Sequence, residues 1–143
     1  VAQVVALGKA CEIAARDLTE NQKHMKEMRD LLHYGIMAAG LDVRLNGHPE
    51  KRLPNTLSLG FNNIPVSELL YALTDLAVSA GAACHGGDID SSSVVGEMRE
   101  PDSYANGTIT FSVGKYTSRD EIDKSVEIII KGIQILSGNL FFG

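Results

Sequence analysis

The stretch that most constrains this chain lies toward its C-terminal end, where a strand pattern runs into a capped helix pattern. From Thr108 to Val113, Ile109, Phe111 and Val113 alternate with Thr108, Thr110 and Ser112, the two-residue period of a strand with one apolar and one polar face. Ser118 followed by Glu121 then spells a capping box, and Ile122, Val126, Ile129, Ile130 and Ile133 form an apolar stripe at helical spacing. A one-faced strand and a one-striped helix must each bury that surface against another element, which demands a sheet covered by helices. The polar strand face is then available for something other than core.

Upstream elements fit the same scheme. Residues 1–16 and 20–39 are rich in helix formers, with Met25, Met28 and Leu32 at core-filling spacing, and predict one long helix or two ending at Gly40. Val43 and Leu45 predict a short strand broken by Asn46-Gly47-His48-Pro49. Leu57, Leu59 and Phe61 alternate with Thr56, Ser58 and Gly60 as a second strand, closed by Asn62-Asn63. Pro65 opens a helix through Leu73, and Ala77 to Ser79 reads as a short buried strand. Ser91-Ser92-Ser93 with Glu97 predicts one more short helix to about Met98, stopped by Glu100-Pro101-Asp102. The expected fold is α+β, a small α/β layer: a sheet of three or four strands covered on one face by the N- and C-terminal helices, as a single domain over 1–143. The chain starts at Val1 inside a helical pattern, so its true N-terminus is expected upstream.

Composition narrows the function classes. A length of 143 residues at 44% apolar supports one core. A net charge of −5 without a lysine and arginine cluster argues against nucleic acid or an anionic membrane surface as partner. The longest apolar runs are too short or too interrupted to span a bilayer. Cys11 and Cys84 are far apart and unsuited to a disulfide scaffold, which points to a reducing intracellular compartment, the cytoplasm or an organelle.

The chemistry-bearing candidate is Cys84, which follows Ala80-Gly81-Ala82-Ala83 and precedes His85-Gly86-Gly87. A lone cysteine often does nothing but pack. Here small residues give it room, and exposed backbone N–H groups or His85 would favour the nucleophilic thiolate. His85 is adjacent and so better suited to tuning local charge than to acting as general base. Gly81 and Gly86 would let the loop move. Metal ligation finds no support in spacing: Cys84 and His85 are two candidates without further partners, and the Asp88 and Asp90 run has Arg99 where a calcium loop needs glutamate. Gly107 to Lys115 lacks the spacing of a phosphate loop.

Four ordered blocks carry a family resemblance: Arg52-Leu53-Pro54-Asn55-Thr56, then Ala80-Gly81-Ala82-Ala83-Cys84, then Phe111-Ser112-Val113-Gly114-Lys115-Tyr116-Thr117, then Glu121-Ile122-Asp123. In this order they resemble the C-terminal part of the cysteine desulfurase and selenocysteine lyase family, of the class V aminotransferase type. Val1 to Glu12 resembles the helix leading from that family's large domain into its small one, and Gly-Ala-Ala-Cys-His leans toward the lyase branch. The resemblance implies the small domain of a fold-type I enzyme that uses pyridoxal phosphate on L-cysteine or L-selenocysteine. Alanine would be produced together with a persulfide or released selenide, with Cys84 taking the sulfur. It further implies a homodimeric parent, an internal large domain that holds the cofactor, and a sulfur-accepting protein.

Two departures from the family pattern stand out. No segment resembles the cofactor's lysine motif, so no pyridoxal phosphate is expected on this chain alone. Thr110 stands where the family has an arginine that grips the substrate carboxylate, and Lys115 replaces another arginine. Losing the two charge-assisted bonds of an arginine fork costs about 2 to 5 kcal/mol. A catalytically decayed domain retained for dimerisation or protein contact is therefore the competing reading. A free-standing redox thiol domain is a third.

Overall fold

The computed structural model describes residues 1–81, 98 and 101–139. Helix α1 (Ala2–Ala38) is followed by strands β1 (Val43–Leu45) and β2 (Thr56–Phe61), helices α2 (Val66–Ala72) and α3 (Asp102–Ala105), strand β3 (Thr108–Ser112) and helix α4 (Arg119–Asn139). The short helix expected from Ser91 to Met98 lies, except for Met98, outside the described residues.

The N-terminal pattern forms one helix rather than two. No proline interrupts it, and strong helix formers carry it through to Ala38. It stops where the Gly40 N–H donates to Met37 O at 3.1 Å and Gly40 turns to φ +71, a left-handed conformation that glycine adopts without a Cβ clash. Met28, Leu32 and Ile36 are buried along one stripe, with Met25 packed partly against them. Val4, Val5, Leu7 and Leu18, in the half preceding that stripe, are exposed.

The three strands form an antiparallel sheet in the order β1-β2-β3. Its register sets Leu45 opposite Leu59, and Leu57, Ser58 and Leu59 opposite Phe111, Thr110 and Ile109. Period two then puts Leu57, Leu59, Phe61, Ile109 and Phe111 on one face. These side chains share the core with Met28, Leu32 and Ile36 of α1, Leu69 of α2, and Ile122, Ile129 and Ile133 of α4. The expected α+β layer, with the first and last helices over one sheet face, is the observed architecture.

The capping box forms as the sequence spells it. Glu121 Oε2 accepts from the Ser118 N–H at 2.7 Å and from its hydroxyl at 3.0 Å, while Ser118 Oγ accepts from the Glu121 N–H at 3.3 Å. The first of these bonds does most to hold the Glu121 carboxyl below its ordinary pKa. The start of α4 is also fastened to α1, because His24 Nε2 lies 2.9 Å from Thr117 O.

Two sequence expectations need correction. Ala77 to Ser79 is not a buried strand: Ala77 and Ser79 are exposed, and only Ser79 forms an isolated bridge, to Thr110. The segment reaches the open edge of β3 directly from the turn after α2, so only one residue falls into register. The polar face of β3 is also not uniformly open, because Thr108 is buried beneath α3 and donates its hydroxyl to Tyr104 O at 3.2 Å. Among the described residues, no helix is long and apolar enough to cross a membrane.

One charged cluster joins α1 to the loop between β1 and β2. Arg29, almost wholly buried, donates Nη1 to Leu53 O at 2.7 Å and Nε and Nη2 to Asp30 Oδ1 at 2.9 and 2.6 Å. Arg52 Nη2 reaches the same oxygen at 3.4 Å. His33, one turn along α1, has its pKa held below the ordinary 6.5, by burial first and then by Arg52. The folded state therefore resists protonating His33 more than the unfolded chain does. Its contribution to stability is complete above about pH 6.5 and is lost as the pH falls through the lowered folded value. Denaturation midpoints should fall between pH 7 and pH 5, and His33→Gln should flatten that part of the profile; an unchanged profile would contradict the assignment.

Candidate functional site

The polar face of the sheet carries a row of short side chains along one cross-strand line. The Asn46 N–H donates to Ser58 O at 3.0 Å, and its Nδ2 donates to Ser58 Oγ at 3.1 Å and Thr108 Oγ1 at 3.2 Å. Ser58 pairs with Thr110, and Thr110 pairs with Ser79. Directly opposed residues of antiparallel strands project to the same face, so Asn46, Ser58, Thr110 and Ser79 stand side by side.

Backbone bonding places Thr110 at the centre of this row. Its N–H donates to Ser79 O at 2.7 Å, and its carbonyl accepts from the Ser79 N–H at 3.1 Å. Both main-chain groups of Thr110 are thus turned away from β2. The Ser58–Thr110 pair is then of the non-hydrogen-bonded kind, in which side chains approach most closely. The two residues that follow Ser79 leave the sheet: Ser79 Oγ donates to Gly81 O at 2.9 Å, and Gly81 is exposed with φ +140. That backbone conformation favours glycine, so the sequence places a glycine where the chain departs.

The site residues expected from sequence divide accordingly. Gly81 and Thr110 are brought together through Ser79, with Thr110 half-buried on the polar face. Cys84, His85 and Gly86 lie outside the described residues. Lys115 is exposed beyond the end of β3, with its Nζ 4.8 Å from the Tyr116 ring centroid, and it also acts on the Asp17 carboxyl of α1. The row itself offers hydroxyl and amide donors to a ligand but no cation, so it can orient a polar group without neutralising a carboxylate.

Sequence reasoning assigned no role to Asn46, Ser58 or Ser79. The alternation that revealed β2 already placed Ser58 on the polar face, but its alignment with Thr110 needed the register. Asn46 was read only as a turn residue. Its Oδ1 is buried without a partner among the described residues, while its amide group ties the β1 end of the row to β2 and β3.

A pyridoxal phosphate site would need a lysine amine held in a desolvated pocket to carry the cofactor. All seven lysines of the chain, at positions 9, 23, 26, 51, 115, 124 and 131, are exposed. The residues present do not fit that cofactor.

Comparison with known proteins gives a consistent family. Residues 1–124 match the family model described as Aminotransferase class-V. The chain is 37% identical over 127 residues to "Cysteine desulfurase IscS" of Colwellia psychrerythraea, covering 89% of this chain and 31% of that protein. It is 34% identical over 133 residues to "Cysteine desulfurase" of Pongo abelii, covering 93% and 29% respectively. A solved structure titled "NifS-like protein" superposes with a TM-score of 0.72 at 32% identity, over 90% of this chain and 32% of that one. The chain therefore spans about a third of the length of the curated relatives it matches.

Proposed function

Because this chain belongs to the class V aminotransferase family, we propose that it is the small domain of a cysteine desulfurase or selenocysteine lyase, with Cys84 as its sulfur-handling residue. The observation that carries this reading is the family match, and the Ser79–Thr110 pair supports it by setting Ser79, five residues before Cys84 in the chain, beside β3. From Gly81, three residues of chain reach at most about 11 Å, enough to bring a thiol over the row of hydroxyls. The residues between Gly81 and Cys84 are both alanine.

In this proposal the parent's other two-thirds hold pyridoxal phosphate, which supplies the electron sink that loosens bonds of the amino-acid substrate. This chain contributes the acceptor thiol. The Cys84 thiolate attacks the substrate sulfur, forming a sulfur–sulfur bond as the substrate's carbon–sulfur bond breaks. L-cysteine and the thiol become L-alanine and a Cys84 persulfide, which balances atoms and electrons. With L-selenocysteine, the same attack would give L-alanine and selenium bonded to the Cys84 sulfur, which an external thiol, supplying two electrons, would release as selenide. His85 tunes the thiol's charge, and Gly81 and Gly86 let the loop move. The parent works as a homodimer in the cytoplasm or an organelle and passes sulfur to an acceptor protein.

The test is alanine production by the cofactor-loaded full-length protein given L-cysteine or L-selenocysteine. Alanine formed from either supports the proposal. Formation from neither would favour the second reading, a decayed domain retained for dimerisation or protein contact, whose supporting observation is the uncharged row around Thr110. Restoring a guanidinium with Thr110→Arg is expected to raise kcat/KM for cysteine roughly 30-fold or more, from the about 2 to 5 kcal/mol that a charge-assisted fork contributes. An unchanged or lower kcat/KM would show that Thr110 does not face the substrate carboxylate.

A further inference from the structure

The charged cluster between α1 and the loop before β2 is short of one negative charge. Two guanidiniums, Arg29 and Arg52, share the single carboxylate of Asp30, and all three of their bonds to it fall on one oxygen, Oδ1. Arg29 is complete, with its remaining contact to Leu53 O at 2.7 Å. Arg52 is not: its Nε and Nη1 are buried without a hydrogen-bond partner among the described residues. Buried guanidinium N–H groups are otherwise paired, because stripping water from a donor without replacing it costs as much as a lost hydrogen bond. Arg29 and burial both act against the charge on Arg52, and both arginines lower the pKa of His33. Among the described residues, Asp30 is the carboxylate that both arginines bond to.

We propose that Arg52 is one wall of an oxyanion site, completed by a carboxylate or phosphate group that accepts from its idle Nη1–H and, in place of the long bond to Asp30, from its Nη2–H. The geometry suits that ligand. The Arg52 bond to Asp30 is the long one at 3.4 Å, so the Nη1 and Nη2 edge can present two parallel N–H groups to an incoming oxyanion. The side chain is 13% exposed and Asp30 25%, which puts the cluster just beneath the surface beside Tyr34. A ligand of one negative charge would balance the second guanidinium and leave Asp30 to Arg29. This site is separate from the Thr110 row and does not depend on the sulfur chemistry proposed for Cys84.

The shared oxyanion chemistry has two sources, a free phosphate and an acidic side chain from elsewhere in the parent. Arginine-selective nitrogen NMR of the full-length protein separates them, with Arg52→Lys assigning the signal. If phosphate is the ligand, adding inorganic phosphate shifts the Arg52 guanidinium resonances and slows their hydrogen exchange roughly 10- to 100-fold, the range set by one charge-assisted hydrogen bond. If the ligand is an internal carboxylate, exchange is already slowed to that degree without phosphate and does not respond to it. Fast exchange both with and without phosphate would overturn the proposal.

Discussion

Gly107→Ala is expected to destabilise the protein by about 3 kcal/mol or more, at the upper end of what overpacking costs. A Cβ built at Gly107 overlaps the carbonyl oxygens of both Phe61 and Ile64. Both oxygens belong to backbone held by several bonds at this corner. The Phe61 N–H donates to Gly107 O at 3.0 Å, the Asn63 N–H to Ser103 O at 2.8 Å, and the Val66 N–H to Asn106 O at 2.9 Å. Relief of the overlap must therefore break pairing between the end of β2 and the turn that starts β3, where each lost backbone bond costs about 1 kcal/mol. Gly138→Ala is the matched control, since its Cβ meets open space on α4 and alanine is the better helix former by about 1 kcal/mol. Urea denaturation of the two variants should move in opposite directions. A Gly107→Ala midpoint within experimental error of the parent would contradict the packing described for this corner.

Cys84→Ala in the full-length protein is expected to reduce sulfur transfer from cysteine at least about a thousandfold, the order of effect seen when a covalent nucleophile is removed. Cys84→Ser keeps the shape and a hydrogen-bonding group but not an ionisable thiol, and it should be equally impaired. A packing role predicts the reverse, with serine tolerated. Cys11→Ala is the control, because Cys11 is exposed on α1 and far from the loop in sequence; it should leave turnover unchanged. Turnover followed as alanine release distinguishes these outcomes.

The elements readable from sequence were those determined by their own residues. The period of two in Thr108 to Val113 and the Ser118–Glu121 box specify a strand and a helix start whatever surrounds them. Both are present as expected, with Ile109 and Ile129 fully buried. What sequence could not convey was decided by distant partners. Thr108 is buried because α3 lies over it, and Ala77 to Ser79 forms one bridge because only Ser79 meets Thr110. The Arg29, Asp30 and Arg52 cluster likewise joins residues from a helix and a separate loop, and no local period signals it. Of the candidate site, the sequence supplied Thr110 and Gly81, and the register added Asn46, Ser58 and Ser79 beside them. The role of Cys84 rests on chain order and on family membership.

Peptide mass spectrometry of the cofactor-loaded full-length protein after incubation with L-cysteine tests that role most directly. One added sulfur is expected on the peptide containing Cys84, removed by reductant and absent when Cys84 is replaced by alanine. Added sulfur found on another cysteine, with Cys84 unmodified, would contradict it.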